Sequence, residues 1–399
     1  MKPRALAPKL RALASAFPAV YLGGPRQSGK TTLARATFPK LPYVSLEDPD
    51  HRDFATTDPR GFLSRYRRGA VIDEVQRVPS ILSYLQSDID ADRKPGRFIL
   101  TGSQQFLLMR DVSQSLAGRV AVVTLPPFST AELVETRPLP IERLLATNPS
   151  RPAPPFSLDW LLFNGLYPAV HQPRARVSDW MASYYRTYVE RDVRDLLAVG
   201  DLETFGRFVR LCAGRSGQLL NLSSLGSDAG VTHTTARRWI SVLVASGLVY
   251  LLQPHHANYS KRLVKSPKLY LLDPGLMCYL LRISRADDVA THPLRGPLFE
   301  TFIVSELVKV FSAIGQEPPL YFWRDQSGHE VDVVIDLGQR LIPVEVKSGA
   351  TVAGDAFSGL DYWLRLSAQP AQRGVLVSGG DGEPYRRQNH VVRPWFACS

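Results

Sequence analysis

The chain has 399 residues, 44% of them hydrophobic and 21% charged, with a net charge of +11. That length suits two or three domains, and the composition is that of a folded protein, which excludes a disordered or fibrous one. The positive balance suits a polyanionic partner, nucleic acid first, and three widely separated cysteines, Cys212, Cys278 and Cys398, exclude a disulfide scaffold or a metal knuckle.

Lys2, Arg4, Lys9 and Arg11 open the chain, but no apolar stretch of signal-peptide character follows them. No run approaches the roughly 18 apolar residues of a membrane span. A cytoplasmic location without a membrane partner is expected. The apolar run Val20-Tyr21-Leu22 reads as a strand. Gly24-Pro25-Arg26-Gln27-Ser28-Gly29-Lys30-Thr31 follows it as a complete Walker A loop and leads into an apolar-periodic helix from Leu33 to Phe38. Successive N–H groups of such a loop form a nest for phosphate, and the helix adds its positive end. Lys30 is expected to reach the β and γ phosphates of ATP, Thr31 to ligate Mg²⁺, and Thr32 to belong to the same binding set.

After a second strand, Tyr43-Val44-Ser45, the run Ala70-Val71-Ile72-Asp73-Glu74 delivers an acidic pair at a strand end, with Asp73 standing 43 residues beyond Lys30. Asp73 is expected to hold Mg²⁺ and Glu74 to activate water, because phosphoryl transfer rests on positioning and charge neutralisation. A third strand, Arg97 to Leu100, ends at Thr101-Gly102-Ser103-Gln104. Thr101 and Ser103 either meet the γ-phosphate and its water or cap a helix from Gln105 to Leu116. Strand Val120 to Leu125 follows. The repeated strand–loop–helix pattern predicts an α/β fold with a parallel sheet. Arg119 is either an ordinary helix-terminal arginine or a residue that neutralises γ-phosphate charge across a subunit boundary, which would require a homo-oligomer.

These blocks, with Ile72-Asp-Glu-Val-Gln, Leu100-Thr-Gly-Ser-Gln-Gln-Phe, Leu116-Ala-Gly-Arg-Val and Leu125-Pro-Pro-Phe-Ser, resemble the prokaryotic AAA-type ATPases (AAA+ superfamily) that carry a C-terminal domain of unknown function, DUF4143. The resemblance covers nearly the full length. It implies Walker A at residues 24–31, Walker B at Asp73-Glu74, a sensor-like role for Thr101–Gln104 and a finger role for Arg119.

Three segments are expected: 1–150 as the P-loop ATPase domain, 151–290 as a helical linker and winged helix, and 291–399 as a third domain. Arg151-Pro-Ala-Pro-Pro reads as a linker. Trp180 to Val199 reads as a helix in which Trp180, Tyr184 and Tyr188 form a core stripe and the charges a salt-bridged outer face. Short helices then precede strands Leu248–Leu252 and Lys268–Asp273, in a pattern resembling a winged helix. Thr234, Arg237 and Arg238 would start its recognition helix, and Lys261, Arg262 and Lys265 would sit on its wing, positions suited to DNA. Binding of protein, or packing alone, remains the alternative for such a module.

In the last third a helix from Gly296 carries Glu300, the strand Glu330-Val-Asp-Val-Val-Ile-Asp carries Asp332, and Leu341-Ile-Pro-Val-Glu-Val-Lys carries Glu345 and Lys347. Period-two alternation puts Glu345 and Lys347 on one strand face. Asp, then Glu-x-Lys, with an upstream helical Glu, resembles the PD-(D/E)xK, restriction-endonuclease-like fold. That resemblance implies a divalent metal held by Glu300, Asp332 and Glu345, with Lys347 beside it. A relic fold that binds without cutting, and a plain charged edge, are the other readings. The expected function is an ATP-dependent, DNA-associated motor or remodeller acting on double-stranded or branched DNA. An ATP-gated, metal-dependent endonuclease and a non-catalytic DNA- or protein-binding sensor are the alternatives.

Overall fold

Five short strands, β1 (Ala19–Gly23), β2 (Tyr43–Ser45), β3 (Ala70–Asp73), β4 (Phe98–Thr101) and β5 (Val120–Thr124), pair in parallel in the order β2-β3-β4-β1-β5. Their residues are apolar on both faces, as a parallel sheet covered by helices on each side requires. Tyr21, Ile72 and Leu100 point to one face, where Phe62, Leu82 and Leu85 pack on them. Val20, Leu22, Val71 and Ile99 point to the other, under Leu10, Leu33 and Ala34. The predicted α/β architecture is therefore the observed one. All four strand pairings of this sheet are parallel, so the polar loops after β1, β3 and β4 gather at one edge of the sheet.

The computed structural model describes residues 2–103, 116–147, 152–193, 202–255, 265–367 and 373–398. They form two compact units. The first is Met1–Phe128 with the short segments Ala245–Gly247 and Phe311–Gln316, and the second is Ser129–Val244, Leu248–Val310 and Glu317–Ser399. Lys261, Arg262, Gln104, and most of the helix expected from Gln105 lie outside the described residues. Among the described residues no helix is long and apolar enough to cross a membrane.

Among its described residues the second unit has nine strands. Helices Leu202–Gly214, Leu222–Ala229 and His233–Ala245 accompany a small antiparallel sheet of β6 (Gln218–Leu219), β7 (Val249–Pro254) and β8 (Lys268–Leu271), in which β8 lies between the other two. Gly230 at φ +81° ends the second of these helices, a backbone state that favours glycine, and its N–H returns to Ser227. Helix Arg295–Ala313 then precedes the antiparallel run β9 (Leu320–Arg324), β10 (Glu330–Asp336) and β11 (Leu341–Lys347). Helix Ser358–Leu366 crosses over to β12 (Val375–Ser378), parallel to β11, and β13 (Tyr385–Arg387) with β14 (His390–Pro394) completes the edge.

One pairing was not visible in the sequence. β7 runs parallel to β9 through Gln253–Tyr321 and Pro254–Phe322, and the His255 N–H extends the ladder to the Phe322 carbonyl at 2.7 Å. Strands on either side of residue 290 thus share one sheet. The aromatic stripe on helix Val177–Tyr184 is core: Trp180 stacks on Tyr184 at 4.9 Å, and the Tyr184 hydroxyl meets that of Tyr167 at 2.9 Å. The helix continues as a π-helix from Tyr185 to Val193, a widening the sequence pattern did not signal.

Candidate functional site

The Walker A loop leaves the buried end of β1 and closes into helix Lys30–Thr37. Two glycines are dictated by geometry. Gly24 has φ +145°, and a Cβ there would lie 2.3 Å from the Leu125 carbonyl oxygen; Gly29 caps the helix in the left-handed region at φ +94°. Lys30 is buried and donates to the carbonyls of Gly24 at 3.1 Å and Pro25 at 2.9 Å, so its ammonium lies inside the loop it serves. Burial lowers its pKa to about 8, against the pull of Glu74 and Asp73 in the opposite direction. The Ser28 hydroxyl is fully buried with no hydrogen-bond partner, a polar atom that a phosphate oxygen would satisfy. Arg26 ion-pairs with Glu47 at 3.5 Å, and Gln27 takes φ +61°. Thr32 and Thr31 line a surface pocket of about 530 Å³ with Arg35, Phe38 and Tyr43.

Asp73 comes from the neighbourhood of β3 and faces the loop. The Thr31 hydroxyl donates to its two carboxylate oxygens at 3.1 and 2.9 Å, and Thr101 donates to it from the end of β4. Two hard oxygen donors, a hydroxyl and a carboxylate, stand side by side, which is the donor chemistry Mg²⁺ takes. Bound there, the ion would neutralise phosphate charge, with Thr31 and Asp73 as its protein ligands. Glu74 sits in the left-handed region at φ +56°, a strained state for a residue with a side chain. Its carboxylate accepts from Gln76, whose amide also donates to the Ser103 hydroxyl at 2.9 Å. Burial raises the Glu74 pKa, Lys30 opposing it, which suits a group that must accept a proton from water.

Three residues of this centre were missed in the sequence. Tyr43 donates to Asp73 at 2.8 Å, and Arg35 stacks on the Tyr43 ring at 4.7 Å. Gln76 links Glu74 to Ser103. Arg4, grouped with the other N-terminal basic residues, is buried and donates to the carbonyls of Ser28 at 2.7 Å and Pro126 at 2.6 Å, bracing the loop from the chain start. Gln76 stands two residues after Glu74, so an acid-bonding side chain beside the motif was the available signal there; Tyr43 lies 30 residues from Asp73 and meets it only through the pairing of β2 with β3. Arg4 left none.

Arg119 is not brought to its own loop. It precedes β5, whose parallel neighbour β1 precedes the loop, so the two lie at opposite ends of the sheet. Its guanidinium grips Asp90 with two bonds, 2.8 and 2.7 Å, which holds the Asp90 carboxyl down to about 2.

In the second unit, Thr234, Arg237 and Arg238 are exposed on helix His233–Ala245, whose opposite face buries Ala236, Trp239, Ile240 and Leu243. Lys265 is exposed just before β8. Glu300, Asp332, Glu345 and Lys347 do come together. Asp332 stands opposite Glu345, one step along the register from Val333–Val344, and accepts from the Val346 N–H at 2.8 Å. Lys347 donates to Glu345 at 2.7 Å. Glu300, however, accepts from Lys268 at 3.0 Å and Tyr270 at 2.5 Å. Among the described residues no group of three or more His, Cys, Asp or Glu side chains is arranged to hold a metal ion. The metal set expected at Glu300, Asp332 and Glu345 therefore does not fit this arrangement, because the Lys268 ammonium stands among those carboxylates.

Comparison with known proteins agrees with the geometry of the first unit. An AAA domain profile matches residues 16–134, and profiles of two domains of unknown function, DUF8612 and DUF4143, match 156–287 and 295–396. Over 351 residues the chain is 32% identical to the uncharacterized proteins Rv2008c of Mycobacterium tuberculosis and Mb2031c of Mycobacterium bovis, covering 87% of this chain and 74% of each relative. The chain belongs to the AAA-type ATPases that carry a C-terminal DUF4143 domain. As a member of that family it is a P-loop enzyme that binds and hydrolyses ATP. Among solved structures, the Walker-type ATPase PABY2304 of Pyrococcus abyssi aligns with a TM-score of 0.40 at 16% identity, over 69% of this chain and 94% of that one. RuvB of Thermotoga maritima aligns with a TM-score of 0.28 at 19% identity, over 61% and 88%.

Proposed function

We propose that this AAA-type ATPase is a DNA-associated motor or remodeller acting on double-stranded or branched DNA, with Mg²⁺ at Thr31 and Asp73. The observation that carries the DNA reading is the amphipathic division of helix His233–Ala245. Its buried side packs Trp239 and Ile240, and its outer side presents Thr234, Arg237 and Arg238 to solvent. Hydroxyls and guanidiniums at the start of an exposed helix are the groups that hold phosphates and read base edges. The order helix–strand–helix–helix–strand–strand around it supports the reading as a winged helix, and the net charge of +11 supports a polyanionic partner. Lys261, Arg262 and Lys265 would add wing contacts.

Hydrolysis follows from the chain's own residues. Lys30 and the loop hold the triphosphate. Glu74, buried and held by Gln76, takes the proton from the attacking water as the water oxygen bonds to the γ-phosphorus and the bond from that phosphorus to the β–γ bridging oxygen breaks, so that ADP leaves with the electron pair and phosphate is released. Arg119, remote from its own loop, would act on a neighbouring copy, so the same reading includes a homo-oligomer. Three buried cysteines, none of them in a disulfide, suit a reducing, cytoplasmic setting. The test is ATP turnover measured without DNA and with linear, single-stranded and four-way DNA. Stimulation by double-stranded or branched forms is expected. Turnover indifferent to every DNA, with no shift of labelled duplex at low salt, overturns the reading.

A further inference from the structure

The charged cluster of the second unit contains residues that its motif does not, Glu330 and Lys268 among them. Glu330, Asp332, Glu345 and Glu300 converge from β10, β11 and helix Arg295–Ala313. Glu330 and Asp332 alternate onto one face of β10, while Glu345 and Lys347 do so on β11. Like charges opposite one another on paired strands repel, and here Asp332 and Glu345 are such a pair. An uncompensated cluster of this kind is too costly to bury.

The compensation comes from β8. Lys268 is 3% exposed, and its side chain runs across the sheet past the Phe322 ring, 5.7 Å from the ring centre. Its ammonium bonds Glu300 at 3.0 Å and ion-pairs with Glu330. Arg324 closes the outer side of Glu330 at 3.2 Å, and Lys347 closes Glu345. Each carboxylate thus has a cation or an N–H partner. Among the described side chains of the cluster one fully buried oxygen is left over: Glu345 Oε2, on a residue 7% exposed, has no hydrogen-bond partner. That atom points to a ligand position the built-in cation leaves unfilled.

We infer that Lys268 is a built-in counter-cation standing in place of a divalent ion, so that the cluster takes no metal while Lys268 is present and acquires a divalent site, with Glu345 as a ligand, when that ammonium is removed. Lys347 meets Glu345 from the outer side, whereas the Lys268 ammonium is engaged by Glu300 and Glu330 at once, so a divalent ion drawing on Glu300 competes with that ammonium for the same oxygens. The inference is independent of the ATPase and DNA readings.

The experiment titrates Mn²⁺ into full-length protein without nucleotide, read by electron paramagnetic resonance and by thermal melting. The variants are Lys268→Met, Glu345→Gln and the two combined. The wild type is expected to show no Glu345-dependent Mn²⁺ signal up to millimolar metal. Lys268→Met is expected to gain one site, at least about tenfold tighter, with a melting temperature that Mn²⁺ raises and an effect lost on adding Glu345→Gln. Binding by the wild type that Glu345→Gln abolishes overturns the inference. So does a folded Lys268→Met protein that binds no more Mn²⁺ than wild type. Should Lys268→Met fail to fold, Lys268→Gln, whose amide still donates to Glu300, is read by the same two criteria.

Discussion

Tyr43 donates a 2.8 Å hydrogen bond to Asp73, from the first residue of β2 to the last of the adjacent parallel strand β3. With Thr31 and Thr101 it fixes the carboxylate on three sides. Burial, followed by the Asp73 bond, pushes the Tyr43 phenol up to about 12, so it remains a donor across the physiological range. Tyr43→Phe removes that donor and little else. The concentration of Mg²⁺ needed for half-maximal ATPase activity should rise by about tenfold, with a smaller change in turnover at saturating metal. An unchanged Mg²⁺ dependence would show that the bond does not orient Asp73.

Removal of the loop's ammonium should be more severe. Lys30→Ala deletes a buried ammonium from the phosphate nest, and ATP turnover should fall by at least about 10²-fold in a protein that still melts cooperatively. Normal turnover in the folded variant would refute the assignment of residues 24–31.

The depressed pKa of Lys30 gives a pH signature. In the free protein the ammonium loses its proton near pH 8, whereas bound phosphates favour the charged form and raise the value. Binding below pH 8 therefore moves no proton, and binding above it takes one up. ATP affinity should be flat up to about pH 8 and then weaken by as much as about tenfold per unit. Calorimetry in buffers of different ionisation enthalpy measures the uptake directly; proton release above pH 8 would contradict the sign.

Glu74→Gln separates binding from chemistry. The amide keeps the shape but cannot accept the water's proton, so turnover should drop by about 10²–10⁴-fold while fluorescent-ATP affinity stays within about twofold. Loss of both together would make Glu74 a structural residue of the strained turn rather than the base.

Arg237→Ala and Arg238→Ala change exposed side chains on the outer face of a packed helix, so folding should be untouched. Each should weaken duplex binding and reduce the slope of log affinity against log salt by about 0.9. A slope equal to wild type in the double variant would remove this helix from the interface.

The Walker A loop was legible because its groups are adjacent in sequence and its context, buried strand then helix, is local. Asp73 and Glu74 were legible by their place at a strand end. Tyr43, Gln76 and Lys268 were not, since each acts through a contact made only when separate strands are set side by side. Arg119 is a middle case. Its position before β5 and that of the loop after β1 are both given by the sequence, and the parallel pairing of β1 with β5 puts them at opposite ends of the sheet. Asp332, Glu345 and Lys347 do lie side by side on β10 and β11, but Lys268, which meets Glu300 and Glu330 there, precedes them by more than sixty residues and belongs to another hairpin, so its place gave no local signal.

The bond ladder between β7 and β9 has a practical corollary for anyone dissecting this chain. Cutting the gene near codon 290, where the two family profiles part, would strip Gln253 and Pro254 of their neighbours and leave raw edges on both products. Such truncations should precipitate when expressed singly and recover solubility when the halves are produced together.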